Sequence, residues 1–299
     1  MIDLFLNPSK NFEKKQLEQF MKNLTETNFP SAKLGHSFPS LFQLMWHSSL
    51  PCFSKPSTSP GFLLKKCFFA GEERDCKEIF KPLPTSSGIC CAFNHHMVLQ
   101  ESEYSKLVTK MQEEATGYKM SDKQDHRALV GLHKGLKVIV DQHSNLVTPG
   151  SVFTNSKAFQ VFIGSPYDST GIHSHHQILP PGSEHFLHLS PTSVTANPKL
   201  TTINPEKRKC LFTHENTLKF HKSYSFQSCI FECHLYQALL HTKCIPWYLP
   251  QVDNTTCDPW QATQFIKRME TVKVEDCPHC LADCESVKYS ITTTSAHLQ

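Results

Sequence analysis

Apolar positions along the chain change period several times, and each change predicts an element. Residues 10–27 carry Phe12, Leu17, Phe20, Met21 and Leu24 at helical spacing beneath a charged face, which predicts a surface helix. Residues 28–60 are rich in Pro and Ser and predict irregular chain, except a short apolar piece from Leu41 to Trp46. Gly88 to Asn94 reads as a short strand. Residues 101–130 are charged, free of Pro and interrupted only by Gly117, which predicts a solvated helical insertion. Strands follow at Gly135–Val140 and Phe159–Gly164, the second ended by Gly-Ser-Pro.

Residues 165–185 read as a polar loop. Strands are expected at Phe186–Leu189 and Leu200–Ile203. A helix capped by Ser223 or Ser225 is expected to run through Leu240, with Phe226, Cys229, Ile230, Cys233, Tyr236 and Leu240 on its apolar face. Pro246 and Pro250 break it. Asp258-Pro259 opens a second helix to about Val274, and the β-branched run Val287–Thr293 predicts a final strand. The fold class is therefore α+β.

Cysteine changes the picture most. Eight of the 13 cysteines fall between Cys210 and Tyr289: Cys210, Cys229, Cys233, Cys244, Cys257, Cys277, Cys280 and Cys284. Cys229 and Cys233 share a helix face. A rising arm (210, 229, 233) can zip against a descending arm (277, 280, 284), with Cys244 and Cys257 closing an inner loop. Spacing leaves the connectivity open, since eight cysteines allow on the order of a hundred pairings. Upstream, Cys67 and Cys76 bracket a turn-like segment and predict a local disulfide loop.

This cysteine usage, with sequons at Asn23 and Asn254, points to an oxidising, extracytoplasmic compartment and a glycoprotein. Yet Met1–Lys15 lacks the apolar core of about 7–15 residues that a secretory signal needs. No window reaches the roughly 18 apolar residues of a membrane helix, and the best run, Gly61–Gly71, is broken by Lys65 and Lys66. The expectation is that the exporting segment lies outside this chain. At 299 residues the length suits one elaborated domain or two. A net charge of +3 is too small and too evenly spread for a nucleic-acid partner.

Three chemical candidates need weighing. His173, His175, His176, His185 and His188 fit no metal motif and read as surface histidines. Cys277-Pro278-His279-Cys280 matches an active-site sequence of thioredoxin-like oxidoreductases, but only 19 residues follow it (299 minus 280), too few for the rest of that fold. A structural pair of cysteines is the expectation, and a lone CxxC is half of a zinc site. No nucleophile elbow, HExxH or phosphate loop is present, so no enzyme activity, cofactor or metal is expected.

At the cysteine array the chain resembles the DEG/ENaC (amiloride-sensitive) sodium channels, most closely their arthropod pickpocket branch. The resemblance rests on Arg208-Lys209-Cys210-Leu211-Phe212, Glu215, Leu218, Tyr224-Ser225-x3-Cys229-x3-Cys233, Cys244-Ile245-Pro246-Trp247-Tyr248-Leu249-Pro250, Cys257, and Cys277-x2-Cys280-Leu281-x2-Cys284-x4-Tyr289. Gly88–Asn94, Cys67-x8-Cys76, Gly135-Leu136 and Phe159-x-Val161-Phe162-Ile163 extend it upstream, so that it covers roughly residues 60–290.

By resemblance the pairing is Cys210–Cys284, Cys229–Cys280, Cys233–Cys277 and Cys244–Cys257, with Cys67–Cys76 as a finger loop. One family bridge is absent from both sides, with Thr242 at one of its positions and no cysteine near Phe265, where the other would fall. Cys52, Cys90 and Cys91 stay unassigned, and an odd total implies one free thiol or a partner outside the chain. Gly164 replaces a frequent family histidine.

The resemblance also implies a layout. Residues 1–66 form a finger-like region, 67–100 a finger loop and β-ball strand, and 101–130 a helical finger insertion. Residues 131–222 form β-ball and palm strands, 223–275 a two-helix thumb stapled by disulfides, and 276–299 a palm return strand. It implies an extracellular domain at the plasma membrane, held there by membrane helices outside this chain. Two further subunits would complete a trimer that passes sodium ions in response to an extracellular ligand or stimulus, protons being one candidate. A secreted binding protein on the same scaffold is the competing class.

Overall fold

The computed structural model describes residues 52, 63–86, 88–95, 106, 108–110, 112–113, 131, 134–141, 158–169, 174–246, 248–252, 255–257 and 259–298. The expected helix at 10–27, the apolar piece at 41–46, the cap at Asp258 and both sequons (Asn23 and Asn254) lie outside them. Of the 101–130 insertion, the described residues 106, 108–110 and 112–113 are helical. The chain forms two compact units. One draws on Met1–Leu83, Ile89–Asn94 and Val108–Lys157, the other on Pro84–Gly88, His95–Leu107 and Ala158–Gln299.

In the first unit, β1 (Leu64–Phe69) is flanked antiparallel by β2 (Glu72–Arg74) and β5 (Leu136–Val140). Ala70 and Gly71 join β1 to β2 with φ of 56° and 91°. Positive φ at both positions matches the right-handed strand twist, and glycine takes it without steric penalty. The four-residue α1 (Cys76–Ile79) starts at Asp75, whose side chain accepts the Lys77 N–H. β3 (Phe80–Thr85) then pairs with β4 (Gly88–Phe93). The core is Cys52, Leu64, Cys67, Ile79 and Phe80, with Phe69 and Phe93 against it. Two disulfides tie it: Cys67–Cys76, across the β1–β2 hairpin, and Cys52–Cys91, two cysteines that the sequence reading leaves unassigned.

In the second unit, β6 (Phe159–Phe162) pairs with β7 (His176–Leu179), so part of the expected 165–185 loop is strand. Strand pairing here follows from a neighbouring edge, which composition does not register. β8 (Ser183–Val194) and β11 (Ser286–His297) form a ribbon paired along all 12 residues of each, longer than the expected Phe186–Leu189 and Val287–Thr293. Most ribbon residues are exposed, including the apolar Phe186, Leu189, Val194 and Val287. Leu200–Ile203 is not a strand. A 3₁₀ turn spans Pro198–Thr202, opened by Asn197, whose side chain accepts the Lys199 N–H, and by Pro198, whose fixed φ suits a first helical turn.

α2 (Pro205–Arg208) leads into β9 (Cys210–Leu211), which pairs parallel with β10 (Ala282–Asp283). Between them lie the two helices. α3 (Phe226–Thr242) is capped by Ser225 and ends at Lys243 in the left-handed region, two residues beyond expectation. Leu240, expected on its apolar face, is 62% exposed, whereas Leu235 and Ala238 are fully buried. α3 buries more than one stripe, so a single-stripe reading chose the wrong edge. α4 (Pro259–Thr271) is followed by a 3₁₀ turn at Val274–Asp276, which ends the helix before Val274. Phe265, Ile266 and Met269 form its buried side. Phe265 stands near one position of the absent family bridge and is 0% exposed. Phe265→Ala is expected to cost about 3–5 kcal/mol in a denaturant titration, the ordinary loss for emptying a buried phenyl site. A loss below about 1 kcal/mol would show that α4 does not rely on that contact.

Candidate functional site: the stapled helix pair and its buried polar anchor

Four disulfides lie on or around the helix pair. Cys210–Cys284, Cys229–Cys280, Cys233–Cys277 and Cys244–Cys257 span 74, 51, 44 and 13 positions, each inside the last. Cys229 and Cys233, one turn apart on α3, face Cys280 and Cys277 on the descending segment. The outermost bond is doubled by backbone: Cys210 and Ala282 are β partners, and Cys284 N–H donates to Leu211 C=O at 2.9 Å. The innermost is doubled likewise, because Ile245 N–H donates to Thr255 C=O and Cys257 N–H to Ile245 C=O. Leu218, Tyr224, Ile230 and Val272 pack around the sulfurs.

The two cysteines of Cys277-Pro278-His279-Cys280 bond to α3 and not to each other. Thioredoxin-like chemistry needs the intramotif pair, so the motif serves as two anchor points. His279 lies within 4.8 Å of the Cys229 and Cys280 sulfurs. Both sulfurs are spent in a bond, which leaves an imidazole and no thiolate for a metal. Cys90 is the cysteine outside the six bonds. His173 lies outside the described residues. His175, His176 and His188 are exposed, and the His185 ring donates to Pro180 C=O at 2.9 Å. Among the described residues these histidines form no metal-holding group.

A second feature escapes a cysteine count. Glu232 is buried on α3 between the two rung cysteines, at 6% exposure. Its carboxylate accepts the Lys219 and Phe220 N–H groups at 2.8 Å each and His221 Nδ1–H at 2.7 Å. The far ring nitrogen, Nε2, lies 2.7 Å from Ser169 Oγ. A buried carboxylate is tolerable when its lone pairs are met in this way. Ser, His and Glu stand in the order of a hydrolase triad, but Ser169 is 8% exposed and its N–H donates to Ser228 Oγ. The chain of bonds ties the 165–169 loop to α3 and presents no nucleophile to a substrate. Its sequence signal was available: a Glu on the buried stripe, next to Cys233 and three positions after Cys229.

Next to this chain lies Asp168. Burial pushes its carboxyl up, against a side-chain hydrogen bond to Ser225 and the charge of His221. The His95 ring donates to its backbone carbonyl at 3.1 Å. Asp283, in β10, accepts the Phe226 N–H at 2.9 Å. Burial, then the Asp168 charge, raise its carboxyl to about 6 against that bond and Lys288. Tyr224 donates to Leu281 C=O and is pushed up to about 12, by burial first and then by Asp283. Beside the 3₁₀ turn at Pro198–Thr202, the buried Arg208 guanidinium donates to the carbonyls of Cys210, Leu200 and Ile203 and to the Glu215 carboxylate. That bond, then the Phe212 N–H, hold the Glu215 carboxyl below its usual range.

The sequence pattern described as "ASC: Amiloride-sensitive sodium channel" matches residues 3–299. Pickpocket protein 28 of Drosophila melanogaster is 24% identical over 263 residues, covering 79% of this chain and 42% of that protein. Sodium channel protein Nach of Drosophila ananassae is 24% identical over 237 residues, covering 77% of this chain and 41% of its own length. Nach of Drosophila melanogaster is 22% identical over 244 residues, covering 79% and 44%. The chain thus spans less than half the length of these relatives. Among the described residues no helix is long and apolar enough to cross a membrane.

Proposed function

The chain belongs to the amiloride-sensitive sodium channel family, and from that premise we propose that it forms the extracellular domain of a channel subunit at the plasma membrane. Two further subunits complete a trimer around a sodium-selective pore. The pore and the membrane helices belong to parts of the subunit outside this chain. The observation that carries the reading is the nested set of bonds around α3 and α4. In this reading residues 223–275 are the thumb, 1–66 and 101–130 contribute the finger, and 131–222 with 276–299 supply β-ball and palm.

An extracellular stimulus acts by binding one arrangement of these parts better than another, and shifts gating by that difference in affinity. The stapled helix pair serves as the stiff member that carries the shift to the palm. The test is expression of the complete transcript product in oocytes, alone and with a second family subunit, under voltage clamp. An amiloride-blocked sodium current, with the chain labelled at the cell surface, is the expected result. Recovery of the product as a soluble protein in the medium, with no current in either setting, would make it a secreted binding protein instead.

A further inference from the structure

The rung Cys229–Cys280 differs from its neighbours in what stands beside it. A His279 ring nitrogen and the two sulfurs all lie within 4.8 Å of one another. Among the described residues, this is the one place where three such ligand atoms come together. His279 is exposed, whereas Cys229 and Cys280 are 2% and 8% exposed, so the group has a buried sulfur side and a solvent-facing imidazole side. It is also held from both directions. Cys233–Cys277 lies one turn along α3, and Cys210–Cys284 lies beyond the rung on the return. Cys280 N–H donates to Cys277 C=O at 3.0 Å, Tyr224 donates to Leu281 C=O, and Asp283 accepts the Phe226 N–H at 2.9 Å. With the Cys229–Cys280 bond open, these ties keep its two sulfurs opposite each other.

We propose that Cys229, Cys280 and His279 form a redox-gated metal site, which takes a zinc-class divalent cation once a small-molecule thiol has reduced the rung. The step balances as thiol–disulfide exchange. Two reductant thiols give two electrons and two protons to the bond and become a disulfide, leaving two cysteine thiols. The cation then displaces both thiol protons to solvent and is held by two thiolates and the imidazole, with water in the fourth position. Tetrahedral zinc ligands stand about 3.5–3.8 Å apart, inside the 4.8 Å within which the three atoms already lie. The sulfurs part by under about 2 Å from their bonded separation, which a change of side-chain torsion supplies. Thiolate and imidazole select soft and borderline cations over calcium and magnesium. The proposal goes beyond the channel reading and does not depend on it.

Selection among the bonds comes from the third ligand. In a thiol buffer the accessible bonds open and reclose, and Cys76, Cys91 and Cys210 are less buried than Cys229 or Cys280. Reduction alone therefore favours other bonds. A cation that binds the open form of one bond draws that bond open by mass action, by a factor of one plus its concentration over Kd. Thiol and cation thus assist each other, as linkage requires. The bound metal also ties α3 to the return segment again, so the staple is exchanged and not lost.

The test places the oxidised 299-residue chain in a glutathione buffer of fixed thiol-to-disulfide ratio, with zinc, calcium or magnesium. Free thiols are alkylated with one reagent, the metal is removed with a chelator, and the thiols it shielded are alkylated with a second and mapped by mass spectrometry. With zinc, the second label is expected on Cys229 and Cys280, at one zinc per chain, and with calcium or magnesium on no cysteine. His279→Ala changes an exposed side chain and is expected to weaken zinc binding about 100-fold. Cobalt in place of zinc gives a readout without a variant: a sulfur-to-metal absorption band, which histidine-only binding does not produce. A second label on any other pair, zinc bound without shielding of Cys229 and Cys280, or unchanged affinity in His279→Ala would overturn the site. The channel reading would stand in each case, since it is decided by the amiloride-sensitive current.

Discussion

Removing one inner rung, Cys233→Ala with Cys277→Ala, is expected to cost about 2–3 kcal/mol, and removing both inner rungs about 6 kcal/mol. The asymmetry comes from nesting. Taken alone, a bond spanning 44 positions would restrict the unfolded chain by about 4 kcal/mol. With Cys229–Cys280 intact, however, the extra loop closed by Cys233–Cys277 contains only four residues of α3 and three of the return. Closing so short a loop is worth about 2–3 kcal/mol. When both rungs go, the loop that opens runs from α3 through the crossover and α4, and its greater restriction of the unfolded chain is lost. In calorimetry the single-rung variants are expected to melt about 5–10 °C lower, and the double-rung variant lower still by more than their sum implies. Losses that add simply, or a single rung costing as much as both, would show that strain in the folded ladder outweighs chain entropy.

Glu232→Ala is expected to destabilise the chain by about 3–5 kcal/mol, comparable to losing a rung, although no covalent bond is touched. Three donors lose their acceptor at once: the Lys219 and Phe220 amides and His221 Nδ1. Phe220 and His221 are themselves buried, so water replaces the lost partner poorly. Glu232→Gln keeps one oxygen but turns an N–H group toward donors, and about 2 kcal/mol is expected for it. Urea titrations of both variants give the ranking. A double-mutant cycle with His221→Phe isolates the pair, where a coupling near zero would mean that the two amides account for the carboxylate's whole role. If Glu232→Ala costs under about 1 kcal/mol, the anchor is ornamental.

The parts that were legible share a physical basis. Helix period, a Ser cap and cysteines four apart place α3 from sequence, and the caps hold because they are local. The ribbon of β8 and β11 was legible only at its centre. Beyond Leu189 its residues are mostly exposed, and Pro191, Thr192 and Ser193 carry no alternation, so pairing across strands decides them. Leu200–Ile203 misled because β-branched Thr and Ile favour strand, whereas Asn197-Pro198 sets a 3₁₀ turn just before. Of the site, the rungs announced themselves as cysteines. Asp168 and Asp283 did not, since each sits in a short segment without periodicity and is raised chiefly by a burial that only tertiary packing decides. Glu232 could have been found as a carboxylate on a buried stripe.

The spacing of the bonds along α3 has a mechanical consequence best put as a count of freedoms. One disulfide between α3 and the return segment would act as a ball joint, leaving the helix free to swing. A second, one turn further along, removes the swing and leaves rotation about the line through both. The Tyr224 and Asp283 contacts to and from the descending segment continue the ladder toward Cys210–Cys284 and add two more ties between the same elements. β11 begins two residues after Cys284. Between the far end of α3 and that strand there is thus a row of ties and no single swivel point.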